Sequence, residues 1–402
     1  MKKILLLGGS IQQIPAIEYA NKQGYYTVLC DYLSDNPGQN FAKKFYCVST
    51  TDKDAILEVA KNEKVDGVVA YASDPAAPTA AYVAEKLGLP TNPYKSVEIL
   101  AFKDKFREFL RENNFNCPKA KGFSSIESAK EEINQFTFPV MVKPIDSSGS
   151  KGVSKVEKVE DFVEAYKIAL DNSRGKNIIV EEFIEQDHPY MIAGDCFVVD
   201  GKVEFWGLLN SHRNDKVNPY VPVGTSYPIY ISKNRLDLVK KETQRLFDSL
   251  DVEFGAFNIE IMIDKNDKLY FIEMGPRNGG NMIPDLLYMA TGEDMIAATI
   301  ESAMGNKYGF NNTIIQNKYI STYVLHSDKN GVFERVQYKN GIEDKILKEV
   351  IYKKNGDRVQ YFDGSNKAIG ILFFKFDTQE EQMDFTNSPE NWIEVVIKQV
   401  NQ

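Results

Sequence analysis

The sequence predicts a mixed α/β and α+β chain: a parallel α/β domain first, then a larger pair of α+β subdomains, then a small α+β appendage. Three observations carry this. From Ile4 to Gly88, apolar runs of strand length alternate with helix-length segments, which calls for a parallel, helix-covered sheet. The cluster Leu89-Pro90-Thr91-Asn92-Pro93 then interrupts that rhythm. From Ala193 onward strands dominate, and the final stretch alternates short β-rich runs with Asn/Gly turns.

Taken in order, Ile4–Leu7 is a buried strand. Its apolar run ends at Gly8-Gly9-Ser10, well short of the ~7–15 residues of a secretory h-region. Gln13–Gln23 reads as a helix ending at Gly24, Thr27–Asp31 as a strand, and Asp54–Asn62 as a helix with Asp52 as its N-cap. Val65–Tyr71 is a strand and Pro78–Lys86 a helix ending at Gly88. One long helix is expected over Ser96–Asn113, stopped by Pro118. A second α/β block follows, with strands at Val140–Lys143 and Ile178–Val180 and a helix near Val159–Leu170. Further on, a helix is expected near Leu236–Leu250, a long irregular stretch over Ser211–Pro228, and β-rich runs at Tyr319–Leu325, Lys348–Tyr352 and Ala368–Phe376.

Composition excludes several classes of function. Of 402 residues, 43% are hydrophobic and 26% charged, so the chain is neither disordered nor fibrous. A net charge of −9 with no Lys/Arg block makes a poor non-specific nucleic-acid binder. Cys30, Cys47, Cys117 and Cys196 are scattered and form no CxxC pair, so neither a zinc site nor a disulfide framework is expected; each reads as a small apolar filler. The three histidines leave little for a His-rich metal centre or a Ser-His-Asp hydrolase. No run reaches the ~18 apolar residues of a membrane helix, and a cytoplasmic protein is the expectation.

Candidate chemistry concentrates in a few places. Gly8-Gly9-Ser10 lies between a strand and a helix, with Asp31 ending the next strand, but GxGxxG is absent and a plain tight turn is the simpler reading. In Lys143-Pro144-Ile145-Asp146-Ser147-Ser148-Gly149-Ser150-Lys151-Gly152-Val153, a strand ends in a lysine and enters a small-residue loop with a second lysine. Backbone N–H groups there can cradle phosphate oxygens, or the segment is a surface loop. Val180-Glu181-Glu182-Phe183-Ile184 places two carboxylates at a strand end. Glu260 and Glu273 each lie in an apolar β-rich run, and the turn Asp264-Lys265-Asn266-Asp267 between them should pair the strands antiparallel. Carboxylates brought side by side repel unless a cation such as Mg²⁺ sits between them. Two edge glutamates facing water are the plainer alternative, against which the apolar neighbours argue.

Read together, Asp104-Lys105, Phe138–Pro144, the Ser147–Val153 loop, Val180–Ile184, Glu260, and Glu273 followed by Pro276-Arg277 resemble the ATP-grasp superfamily over roughly residues 1–310. Within it the chain is most similar to the carboxylate–amine ligases related to carbamoyl-phosphate synthase and the L-amino acid ligases, which Pro222–Pro228 also resembles. The resemblance implies a pre-ATP-grasp α/β domain at 1–92 and an ATP-grasp domain at 93–310, whose two α+β subdomains hold ATP between them. The lid subdomain would lie at about 119–185, and a C-terminal α+β subdomain at 311–402.

It also implies roles. Lys105 and Lys143 would contact the ATP phosphates, and the loop with Ser148, Gly149, Ser150, Lys151, Gly152 and Val153 would close over them. Glu181, Glu182, Phe183 and Ile184 would hold the adenine, Glu260 and Glu273 would ligate Mg²⁺ (or Mn²⁺), and Arg277 would face the transferred phosphoryl group or the acyl-phosphate. The family's Asn two residues after the second metal glutamate is Gly275 here, so Asn278 or a water stands in as ligand. The family's ribose-binding Glu is His188, so Asp187 takes the ribose, with His188 a solvated loop imidazole.

The implied activity is amide formation between a small-molecule carboxylate and an amine through an acyl-phosphate, releasing ADP and phosphate. No nucleic-acid or membrane partner is implied, and a homodimer is compatible. The alternatives are a carboxylase- or kinase-type enzyme that phosphorylates a small acceptor, or a non-catalytic nucleotide-binding module.

Overall fold

The computed structural model describes residues 1–311 and 318–398 of the chain. Residues 312–317 and 399–402, within the segment expected to form the C-terminal subdomain, lie outside the described residues.

The first sheet is parallel, with Lys44–Cys47, Tyr26–Asp31, Lys3–Leu7 and Gly67–Val69 side by side in that order. Its central strand keeps Ile4 to Leu7 no more than 2% exposed, as a strand covered on both faces must. The flanking helices have the expected ends. Asp52 accepts from Ala55 N at the start of Lys53–Glu63, and Gly88 (φ 66°) closes Ala77–Leu87 in the left-handed conformation.

The segment expected as one helix is two, Tyr94–Ala101 and Lys103–Glu112, separated by Phe102 in extended backbone. The second starts where Lys103 N donates to Ile145 O at 3.3 Å, so a tertiary contact and not a sequence breaker sets the break.

Two sheets then face each other. The smaller, antiparallel, has the order Ala120–Phe123, Ile178–Glu182, Val140–Pro144, Ser154–Val156. The larger has eight strands: Leu269–Gly275, Gly255–Ile263, Met191–Val199, Lys202–Asn214, Asn218–Tyr227, Tyr319–Leu325, Gly370–Phe376 and Ile346–Ile351. Its apolar side packs under Lys233–Ser249 through Leu246, Phe247, Phe257 and Phe271. A three-stranded sheet, Arg358–Val359, Gly331–Tyr338 and Ile393–Lys398, with the helix Gln379–Asn387, completes the C-terminal part.

The stretch expected to be irregular, Ser211–Pro228, is mostly a hairpin of Lys202–Asn214 with Asn218–Tyr227. Arg213 pairs with Pro222 between register shifts on either side. A proline that cannot donate to the ladder is tolerated at such an irregularity, and it breaks the alternation by which a strand is recognised. Among the cysteines, Cys30 and Cys196 are buried as fillers, whereas Cys47 is exposed.

Candidate active site

Between the smaller sheet and the edge of the larger lies a cleft of about 750 Å³. Its floor comes from the pair Gly255–Ile263 and Leu269–Gly275, joined through the expected turn, in which Asp264 Oδ1 accepts from Asn266 N and Lys268 N. The register sets Glu260 directly opposite Glu273, and the next pairing, Ile261 with Phe271, skips Ile272. That bulge lies beside the two carboxylates, and its carbonyls are used: Arg107 donates to Phe271 O at 3.1 Å and Ile272 O at 2.7 Å.

Arg107 also joins floor to roof. Its Nε lies 2.9 Å from Glu181 Oε1 of the smaller sheet, and Lys143 Nζ lies 2.6 Å from Glu181 Oε2. All three side chains are at most 10% exposed. Burial alone would push the Glu181 carboxyl up; the two cations overturn this and hold it at about 2. Glu181 therefore stays an anion, and its charge fixes Lys143 at the cleft wall. Its carboxylate is committed to these partners, while the lining continues through Glu182, Phe183 and Ile184. Glu182 accepts from Thr137 N at 2.8 Å, and the Lys155 ammonium lies 4.2 Å from the Phe183 ring centroid.

At the other end Lys103, Ser147, Ser150, Lys151 and Val153 reach the cleft. Lys103 donates to Ser147 O at 2.9 Å and stands 3.7 Å from Glu273. Arg213 stands 3.5 Å from Glu260. Burial raises the Glu260 carboxyl; Arg213 opposes that, and the facing Glu273 adds to it. Two carboxylates on adjacent strands, with only long contacts to cations, form a hard oxygen donor pair suited to a divalent ion such as Mg²⁺. No group of three or more His, Cys, Asp or Glu side chains able to hold a metal occurs among the described residues, so further ligands would come from substrate or solvent.

Several residues expected here are elsewhere. Lys105 pairs with Glu98 at 2.8 Å, 43% exposed and outside the cleft; Lys103, two residues earlier, is the lysine that points in. Phe102 ends one helix and caps the next, which turns Lys103 inward; a single continuous helix hides this. Asn278 is fully buried, and its Oδ1 accepts from Thr299 Oγ1 at 2.9 Å, so it is not beside the glutamates as a ligand. Arg277 does not line the cleft, although Glu273 is near enough to act on its charge. It makes a two-pronged pair with Asp74, which lies between the strand Gly67–Val69 and the helix Ala77–Leu87, 2.6 Å on each prong. Asp187 is 55% exposed and pairs with Arg235 at 2.8 Å, away from the cleft. His188 is not a solvated imidazole: its Nε2 accepts from Ile263 N at 3.1 Å. Ser148, Gly149 and Gly152 shape the loop without lining the cleft.

The Gly8 turn is packed by the chain's own side chains. The Gln13 side chain fills the space above Gly8 and donates to Tyr71 O at 2.8 Å. Asp31 accepts from Gly9 N at 2.7 Å, so its carboxylate serves the turn itself.

Comparison with known proteins agrees with this architecture. The family model described as the ATP-grasp domain matches residues 108–281. The carbamoyl phosphate synthase large chain of Thermoanaerobacter sp. (strain X514) is 27% identical over 217 residues, 53% of this chain and 19% of that one. This chain thus spans about a fifth of the length of that relative. The formate-dependent phosphoribosylglycinamide formyltransferase of Prochlorococcus marinus (strain NATL2A) is 26% identical over 291 residues, covering 69% of this chain and 70% of the relative. In fold, the L-amino acid ligase from Bacillus licheniformis superposes with a TM-score of 0.82 at 19% identity over 99% of both chains. With the cleft, the paired glutamates and the family match in agreement, the chain carries an ATP-grasp domain over residues 108–281.

Proposed function

We propose that this protein is an ATP-dependent carboxylate–amine ligase that forms an amide through an acyl-phosphate and releases ADP and phosphate. The observation that carries the reading is Glu260 set opposite Glu273 on the floor of a cleft whose other wall brings in Lys103, Lys143 and Lys151. A cationic roof over an anionic pair is the arrangement a polyphosphate bridged to a divalent ion requires.

Mg²⁺ held by Glu260 and Glu273 would neutralise charge on the β- and γ-phosphates. The chain's own residues do the rest. Lys143, fixed by Glu181, and Lys103, fixed by Ser147 O, bring positive charge to the phosphates. The substrate carboxylate oxygen attacks the γ-phosphorus, and the bond to the bridging oxygen of ADP breaks. The amine nitrogen then attacks the acyl carbon, phosphate leaves with the former carboxylate oxygen, and the nitrogen loses a proton. The 147–153 loop shields the acyl-phosphate from water. No enzyme nucleophile is needed. His212, which could serve as a base near the cleft, is buried, bonded to Ser226 Oγ at 2.9 Å, and pushed down to about 3 by burial.

The test is phosphate release from MgATP across a panel of carboxylic acids and amines, with mass detection of products. Amide formed in step with ADP supports the reading. A phosphorylated or carboxylated acceptor and no amide, or no turnover with nucleotide bound, would replace it with one of the alternatives.

A further inference from the structure

The loop 147–153 has no regular structure of its own to fix its height over the cleft, and its contacts to other parts of the fold are few. Lys103 holds Ser147 O from below, and Ser150 Oγ donates to Tyr220 O of the hairpin at 2.7 Å. Asn172 packs against Gly152, and further neighbours come from the C-terminal part. A Cβ built on Gly149 would fall inside contact distance of Ser365 Oγ, and one built on Gly364 would lie 3.0 Å from Lys151 Cγ. The same C-terminal loop grips the tip of the hairpin: Tyr361 donates to Val217 O, and Asn218 Nδ2 donates to Asp363 O at 3.5 Å. Asp363 is itself fixed by Lys367 at 2.6 Å. The segment 361–367, far in sequence from the cleft, therefore touches both elements that cover it.

We propose that this segment is a clasp in which Ser365 and Gly364 act as positioning residues, setting how far the 147–153 loop closes and hence where Lys151 stands over the phosphates. This rests on the reading of the cleft as an ATP site. Gly149 (φ 67°) and Gly152 (φ 72°) sit in backbone that glycine adopts without strain, which lets the loop lie against Ser365 and Asn172 without a side chain between.

Ser365→Leu inserts bulk at the Gly149 contact, and Tyr361→Phe removes the grip on the hairpin tip without adding volume. The first readout needs no ligand: the rate of tryptic cleavage after Lys151, mapped by mass spectrometry. Ser365→Leu and Tyr361→Phe should raise that rate at least about tenfold and about threefold respectively, with unchanged melting temperature. The second readout is kinetic. The KM for MgATP should rise at least about fivefold in Ser365→Leu. Wild-type cleavage rates in both Ser365→Leu and Tyr361→Phe would overturn the clasp. If the wild-type protein binds no MgATP by calorimetry, the ATP reading fails, and the ligand-free cleavage rates still decide whether the clasp exists.

Discussion

Glu181 is the side chain on which the roof of the cleft is built. It lies on an apolar strand, so the sequence shows only that a charge is being buried, not what neutralises it. The partners, Arg107 and Lys143, come from a helix and a neighbouring strand. Removing the charge strands two buried cations, which costs about 3–5 kcal/mol. Glu181→Gln should therefore lower the unfolding free energy measured by urea denaturation by that amount at neutral pH. Because its carboxyl is held at about 2, below its unfolded value, its contribution is fully present above about pH 4.5 and is lost as pH falls toward 2. The wild-type advantage over Glu181→Gln should shrink over that interval.

Asp195 has the opposite sign. It is fully buried, accepts from Gly279 N at 2.8 Å and Asn258 Nδ2 at 2.9 Å, and burial pushes it up to about 6. Unfolded, it ionises near pH 4; folded, it keeps its proton until about 6. Stability relative to Asp195→Asn should thus fall by up to about 3 kcal/mol as pH rises from 4 to 6, then level off, as read from unfolding at each pH.

At the scale of elements, the hairpin carrying Glu260 and Glu273 was the most legible part of the site. Apolar runs of strand length flank an Asp-Lys-Asn-Asp turn, and antiparallel pairing about such a turn sets the two acids face to face. The side-chain directions around it were less legible. Lys103 and Lys105 are two residues apart on one helix, and only the break at Phe102 decides which one reaches the cleft. The hairpin over Ser211–Pro228 was hidden by Pro219 and Pro222. Because the two carboxylates face each other and their nearest cations, Lys103 and Arg213, stand 3.7 and 3.5 Å away, Glu273→Gln should leave the metal-free protein at least as stable as wild type by calorimetry. The same change should cut Mg²⁺-dependent ATP turnover by at least about a hundredfold, since phosphoryl transfer depends on that charge clamp.

Over the whole molecule, the N-terminal sheet was readable from its strand–helix rhythm, but its attachment was not. Arg277 follows the strand Leu269–Gly275 and reads from sequence as a group aimed at the chemistry; its partner, Asp74, lies in a loop of the N-terminal part. The pair is 10% and 19% exposed, so it is a buried tie between two parts of the fold. Asp74→Asn should cost about 2–5 kcal/mol by denaturant unfolding, the range for breaking a desolvated, hydrogen-bonded charge pair. Arg277→Lys keeps the charge and loses the two-pronged contact, and should give the smaller loss of the two.

The most direct measurement follows oxygen. MgATP is incubated with the protein, pooled carboxylic acids labelled with oxygen-18 in the carboxyl group, and pooled amines, and the released phosphate is weighed by mass spectrometry. Attack of a carboxylate on the γ-phosphorus, followed by amine displacement, leaves one labelled oxygen in each phosphate formed alongside amide. Unlabelled phosphate in step with amide, or amide formed with release of AMP and pyrophosphate, would contradict an acyl-phosphate ligase in this cleft.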